Sequence, residues 1–111
     1  MQINQEFTIN RHDFKYKLKL TDLNLQIQAI NQLSKKTYSN IIDVNEILVF
    51  PADSKNPFLT IKLTNQLIYQ IIIKPDNFNY AEFITDNPDI ISIILYFPII
   101  QQSFTIKLTK N

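Results

Sequence analysis

The single histidine of the chain, His12, stands beside Asp13 in the stretch RHDF, and this pair comes closest to catalytic chemistry. A histidine and an aspartate can supply the base and the orienting carboxylate of a hydrolase. Adjacent residues of an extended chain point in opposite directions, so these two side chains are badly placed to bond to each other. No nucleophile motif of the G-x-S-x-G type accompanies them. We therefore expect a surface histidine and no enzymatic activity.

Two pairs of carboxylates could serve acid–base chemistry or hold a metal ion. Asp86 and Asp89 flank Pro88, and Asp43 lies close to Glu46. The sequence Asp-Asn-Pro is typical of a turn, which explains the first pair without a ligand. One histidine and no cysteine are too few ligands for a transition-metal cluster. The sequence therefore predicts no metal site and no cofactor.

The lysines at positions 15, 17 and 19 are the most distinctive charged feature. They alternate with apolar residues, so they share one face of a strand. Arg11 is placed to extend the row. Such a row could bind the phosphates of a nucleic acid or an anionic lipid. The alternative is a solvent-exposed face, or a sheet edge that lysines protect from unwanted strand pairing.

The overall composition excludes several classes of function. The 111 residues suit one domain, 1–111, and the net charge of +1 lacks the basic excess of a dedicated nucleic-acid binder. There is no glycine, so glycine-dependent phosphate loops are absent. The lack of cysteine and of a secretory signal at the start predicts an intracellular, cytoplasmic protein. The longest apolar stretch, IISIILYFPII, is too short to span a membrane as a helix.

Two alternating segments, 14–20 and 23–29, predict the first hairpin. The first has its apolar residues at even positions and the second at odd positions. Opposed residues of an antiparallel pair share a face, so the numbers of paired residues must sum to an odd value. A two-residue loop at Thr21–Asp22 meets this condition. The predicted pairs are Leu20 with Leu23, Leu18 with Leu25, and Tyr16 with Ile27, and the lysines would then face Gln28, Gln26 and Asn24.

The same reasoning predicts a second hairpin in FLTIKLTNQLIYQIII, residues 58–73. Its apolar residues are odd-numbered on both sides, which favours a three-residue loop at 64–66 and a central strand over 67–73. Between the hairpins, the isoleucine and valine content of 38–50 favours a strand over a helix. Two prolines predict an exposed loop at 51–57.

The remaining segments predict one helix and two strands. Pro75 and the helical spacing of Phe78, Ala81 and Ile84 predict a short helix over about 76–85. Residues 90–97 are apolar in both phases, which fits a buried strand or a buried helix, and we favour the strand. Residues 104–108 alternate and are predicted as a strand. The expected fold is α+β and mostly β, a compact antiparallel sheet or barrel of six to eight strands. The element order resembles that of pleckstrin-homology-like domains, and an OB-like barrel is the alternative.

The absence of catalytic groups favours a non-catalytic protein-interaction module, namely a small complex subunit, an adaptor or a mobile-element inhibitor. Its binding surface would be a sheet edge. The last strand is the first candidate for that edge, with Phe104, Ile106, Lys107 and Leu108 as contact residues. The isoleucine-rich segment 90–100 could also be covered by a partner. The alternative function is binding of nucleic acid or anionic lipid through Lys15, Lys17 and Lys19.

Overall fold

The computed structural model describes residues 2–53 and 58–111. Across these residues the chain forms nine β-strands, one α-helix and a short 3-10 helix at Pro98–Ile100. The strands are β1 (Asn4–Arg11), β2 (Phe14–Thr21), β3 (Leu25–Asn31), β4 (Thr37–Ile42), β5 (Ile47–Val49), β6 (Ile61–Leu63), β7 (Tyr80–Ile84), β8 (Ile90–Phe97) and β9 (Gln102–Lys110). The helix α1 spans Asn65–Ile73.

Seven of these strands form one antiparallel sheet in the order β1-β2-β3-β4-β9-β8-β7. The sheet curls into a half-barrel, and α1 packs against β2, β3, β7 and β8. Strands β5 and β6 form a separate two-stranded sheet. The predicted fold class is thus confirmed: a mostly-β fold with one short helix and a main sheet of seven strands.

The first hairpin has the predicted parity but a register shifted by two residues. Leu20 pairs with Leu25, so the predicted pairing of Leu20 with Leu23 is wrong. The turn is centred on Asp22 and Leu23 because its flanking residues bond to each other. The Thr21 amide donates to the Asn24 carbonyl (2.9 Å), and the Thr21 hydroxyl accepts from the Asn24 amide (3.2 Å). Leu23 is 77% exposed in this turn.

The second predicted hairpin is wrong, because residues 65–73 form α1. Thr64 caps the helix: its hydroxyl accepts a hydrogen bond from the Leu67 amide at 3.1 Å. The buried residues of the helix are Ile68, Tyr69, Ile71 and Ile72. An apolar run with no polar face suits a buried helix as well as a buried strand, and here the capping threonine distinguishes the two.

The helix predicted at 76–85 is also wrong, because Tyr80–Ile84 is strand β7. The chain after Pro75 turns instead of entering a helix. The Asp76 carboxylate accepts hydrogen bonds from the amides of Phe78 and Asn79, both at 2.8 Å. The same side-chain bonds could cap a helix. Here the Asp76 amide also donates to the Asn79 carbonyl at 3.0 Å, which closes a turn instead.

The other strand predictions are confirmed in outline. The segment 38–50 contains β4 and β5, which are separated by residues 43–46, and the segments 90–97 and 104–108 lie in β8 and β9. In the loop predicted at 51–57, residues 54–57 lie outside the described residues.

The core fills the inner face of the curled sheet and the buried side of α1. Alternate residues of β2, β3, β8 and β9 point inward, and the residues between them point to the outer face. Tyr16, Leu25, Ile93 and Leu108 are among the buried inner residues. The outer face is the surface on which β1 to β4 carry the lysines and glutamines.

Four described turn and loop residues have left-handed backbone angles without being glycine. They are His12 (φ 54°), Lys35 (φ 65°), Glu46 (φ 43°) and Gln101 (φ 54°). Glycine tolerates this region best, and the chain contains none. These turns are therefore built from residues that carry a steric penalty.

Candidate partner-binding edge and lysine groove

The three lysines lie on the outer face of β2, as predicted, with Lys17 and Lys19 exposed and Lys15 half-buried. Lys17 pairs with Gln28, and Lys19 with Gln26. Strand β2 is paired on both sides, with β1 and β3. The lysines therefore do not protect a sheet edge, and they line part of an open surface.

This surface is a groove of about 640 Å³ across strands β1 to β4. We call it the lysine groove. Lys17 and Lys19 line it together with glutamine, serine and threonine side chains. Glu6 of β1 stands directly across from Lys19. The sequence interpretation missed this carboxylate because it did not predict β1 as a strand, although Phe7 and Ile9 already alternate with polar residues there.

Arg11 does not extend the lysine row, contrary to the sequence prediction. It pairs with Phe14 on the opposite face of the sheet from the lysines. Its guanidinium carbon lies 4.8 Å from the centroid of the Phe83 ring in β7. The arginine therefore makes a cation–π contact between β1 and β7, the two edge strands of the sheet.

The same region contains a buried hydroxyl without a hydrogen-bond partner. Tyr16 is 1% exposed, and its ring centroid lies 4.6 Å from that of Phe83. Among the described residues, the Tyr16 hydroxyl has no hydrogen-bond partner. Burial raises the pKa of Tyr16 to about 12, and the nearby charge of Arg11 opposes this shift. The hydroxyl is therefore neutral across the physiological range.

The strand predicted to offer a free edge, β9, lies inside the sheet. It pairs with β8 from Gln102 to Thr109, and with β4 through Lys110 and Thr109. Of the predicted contact residues, Ile106 and Leu108 are buried, Phe104 is half-buried and Lys107 is exposed. These residues serve the protein's own core and sheet.

The edges of the main sheet are β1 and β7. In antiparallel sheets, main-chain groups of successive residues point alternately to the two neighbouring strands. The Lys110 amide donates to the Asp89 carbonyl at 3.0 Å, which fixes this alternation through β9 and β8. The strand register carries the same alternation from β8 into β7. The main-chain groups of Ala81 and Phe83 therefore point to the free edge. No hydrogen bond engages those groups within the described chain.

The outer face beside β7 is apolar, in contrast to the lysine groove. Tyr80 of β7 is 41% exposed and stacks on Tyr96 of β8, with ring centroids 5.1 Å apart. Half-buried isoleucines continue this outer surface, namely Ile84, Ile90 and Ile94. They are not among the residues that pack against the core. We call these five side chains the apolar outer surface.

One carboxylate lies within this surface. The Tyr96 hydroxyl donates a hydrogen bond to a Glu82 carboxylate oxygen at 3.0 Å. This bond, assisted by partial burial and by the charge of Glu82, raises the pKa of Tyr96. The sequence interpretation missed Tyr80 and Glu82 as site residues because it assigned them to a helix. The alternation of Tyr80, Glu82 and Ile84 with Ala81 and Phe83 was the available signal for a strand.

The candidate catalytic residues lie in turns. His12 and Asp13 are exposed between β1 and β2, and the Asp13 carbonyl accepts from the Gln32 amide at 2.7 Å. Asp86 and Asp89 are exposed between β7 and β8, where the Asn87 side chain accepts from the Asp89 amide at 2.9 Å. Within residues 2–53 and 58–111, no three histidine or acidic side chains are grouped as metal ligands would be.

Comparison of the chain with models of known families, with curated proteins and with solved structures found no match. Over the described part of the chain, no helix combines the length and apolar character that a membrane crossing requires.

Proposed function

We propose that this protein is a non-catalytic interaction module that binds an extended strand of a partner protein at the edge of β7. The supporting observation is the unpaired main chain of Ala81 and Phe83 next to the apolar outer surface. In strand addition, main-chain hydrogen bonds supply affinity, and side chains on the flanking faces supply specificity. Strand β7 offers both components.

The other sheet edge, β1, is less suited to this role. Its outer row consists of the polar residues Asn4, Glu6, Thr8 and Asn10. On the outer face, a strand added there would meet polar side chains that water already solvates, while the exposed Phe7 lies on the other face. A strand added at β7 would cover Tyr80 and Ile84, and burial of apolar area contributes roughly 25 cal/mol per Å². This burial of apolar area favours β7 as the edge that binds a strand.

The proposal is tested by removing one edge amide. Ala81→Pro deletes an N–H that points away from β8, so the internal ladder stays intact while the free edge loses a donor. Ala81→Ser keeps the amide and is the matched control. We expect proteins captured from a lysate of the native host by the wild type and by Ala81→Ser to be lost with Ala81→Pro. Capture of the same proteins by all three variants would refute the β7 edge as the binding site.

A second candidate function is binding of a polyanion in the lysine groove. The observation in its favour is that Lys17 and Lys19 point into one groove beside the neutral amides of Gln26 and Gln28. Lysines can contact phosphates while such amides bond to the remaining polar groups of a ligand. Glu6 opposes this function because its charge lies across from Lys19.

A further inference from the structure

The chain segment that contains β7 is acidic. Residues 75–106 contain four acidic side chains, Asp76, Glu82, Asp86 and Asp89, and no lysine, arginine or histidine. Four acids and no bases give this segment a formal charge of −4. The whole chain has a net charge of +1, so the segment differs sharply from the rest of the molecule.

One of the four carboxylates lies on β7, and the other three lie in the segments before and after it. Glu82 lies at the middle of β7 and points to the outer face, while Asp76 precedes the strand and Asp86 and Asp89 follow it. All four side chains are exposed. Arg11 lies over the Phe83 ring on the inner face. Lys74 and Asp76 line one small pocket, and the Lys110 amide donates to the Asp89 carbonyl. Among the described residues none of the four carboxylates forms an ion pair, so the outer row of β7 keeps the negative charge of Glu82.

From this pattern we infer that the strand accepted by β7 is basic. The occupant is an extended segment of a partner protein, with a lysine or arginine opposite Glu82 and apolar residues opposite Tyr80 and Ile84. Residues two apart on a strand share a face, so a partner segment that alternates in this way meets all three positions at once. This inference rests on the proposed function, and it adds the chemistry of the partner.

Other occupants fit less well. A nucleic acid would be repelled by the four carboxylates. A second copy paired through β7 and centred on Glu82 would place two glutamates opposite each other, and like charges in that position are unfavourable. A basic strand avoids repulsion between like charges. Its lysine or arginine can pair with Glu82, the one charged side chain in the outer row of β7.

The test uses the full chain, labelled with ¹⁵N, and three synthetic peptides. Each peptide alternates valine and threonine, and the central residue is Lys, Gln or Glu. Amide chemical-shift changes at Ala81, Phe83 and Tyr96 report binding at the edge. Titrations are run at low and high salt with the wild type and with the Glu82→Gln, Glu82→Lys and Ala81→Pro variants. Sedimentation of the peptide-free protein measures self-association.

We expect the Lys peptide to bind about two- to fivefold more tightly than the Gln peptide, and the Glu peptide to bind most weakly. High salt should reduce this preference. Glu82→Gln should diminish it, and Glu82→Lys should favour the Glu peptide. Ala81→Pro should weaken binding of every peptide.

The outcomes separate this inference from the proposed function. Equal binding of the three peptides, weakened in Ala81→Pro, would overturn the basic partner while supporting strand addition at β7. Binding that Ala81→Pro does not weaken would overturn both. Self-association of the wild type that Ala81→Pro abolishes would identify a second copy as the occupant and overturn the basic partner. Absence of shifts with every peptide, up to its solubility limit, would also overturn it.

Discussion

Tyr16 shows how a single residue can be well packed and still unfavourable. Its ring contributes to the core and contacts Phe83, whereas its hydroxyl is buried without a partner within the described chain. Loss of hydration at an unpaired polar group costs about 1–3 kcal/mol. The residue therefore combines favourable aromatic burial with an unfavourable polar atom.

Tyr16→Phe should raise the free energy of unfolding by about 1 kcal/mol at neutral pH, since it removes only the unpaired hydroxyl. It should also reduce the loss of folding stability at alkaline pH. The pKa of Tyr16 is about 12 in the fold and about 10 in the unfolded chain. As the pH rises through this interval the unfolded state loses the proton first, so stability falls, by about 1 kcal/mol at pH ~11. The variant should lack this part of the loss.

Urea unfolding of both proteins at neutral and alkaline pH measures the two effects. Tyr69 also has a raised pKa through burial, and it acts equally in the wild type and the variant. A variant that is less stable than the wild type at neutral pH would show that the Tyr16 hydroxyl has a favourable partner.

At the scale of elements, the sequence predicted strands with clean alternation and failed where two patterns overlapped. β2, β3, β8 and β9 alternate or are densely apolar, and their assignments are confirmed. The segment 67–73 is predicted as a strand and is helical, and the segment 76–85 is predicted as a helix and contains a strand. Their hydrophobic spacing fits both periods, and local bonds distinguish them: the Thr64 hydroxyl caps α1, whereas the Asp76 amide bonds to the Asn79 carbonyl in a turn.

The candidate site was predictable to a similar degree. The shared face of Lys15, Lys17 and Lys19 follows from alternation within one strand. The position of Arg11 and the identity of the edge strands depend on pairing between distant segments, which alternation in one strand does not specify. The edge was therefore expected at β9 and is found at β1 and β7.

The pairing of β9 predicts the effect of deleting residues 103–111. The deletion removes the buried Ile106 and Leu108 and unpairs one side of β8. Burial of each side chain contributes roughly 1.5–3 kcal/mol, and native stability is typically about 5–15 kcal/mol in total. We expect an unfolded chain by circular dichroism and by amide shift dispersion, while Lys107→Ala, at an exposed position, stays folded. A folded truncated monomer would show that β9 is dispensable for the core.

On the scale of the whole molecule, opposite charges occupy different parts of the sheet. The lysine row lies on the outer face of β2, and the carboxylates surround β7 at one edge. The small net charge therefore conceals two surfaces with different electrostatic preferences. An acidic and a basic partner could be bound at separate places on one protein, which the total charge alone does not indicate.

The polyanion function predicts the behaviour of a triple variant, Lys15→Gln, Lys17→Gln and Lys19→Gln. Its stability should stay within about 0.5 kcal/mol per substitution, because these are surface positions. Its salt-sensitive retention on heparin should be lost, whereas a matched variant with Lys62, Lys74 and Lys110 changed to Gln should keep it. Wild-type protein without salt-sensitive retention on heparin would exclude this function.

The left-handed turns at His12, Lys35, Glu46 and Gln101 affect the unfolded chain as well as the folded one. In the native state each non-glycine residue there bears a penalty of about 1 kcal/mol. A glycine would remove that penalty, but it would enlarge the set of conformations open to the unfolded chain, at about 0.4–1 kcal/mol per position. The two effects are of similar size and opposite sign. A chain without glycine thus accepts strain in its turns and has less conformational entropy to lose when it folds.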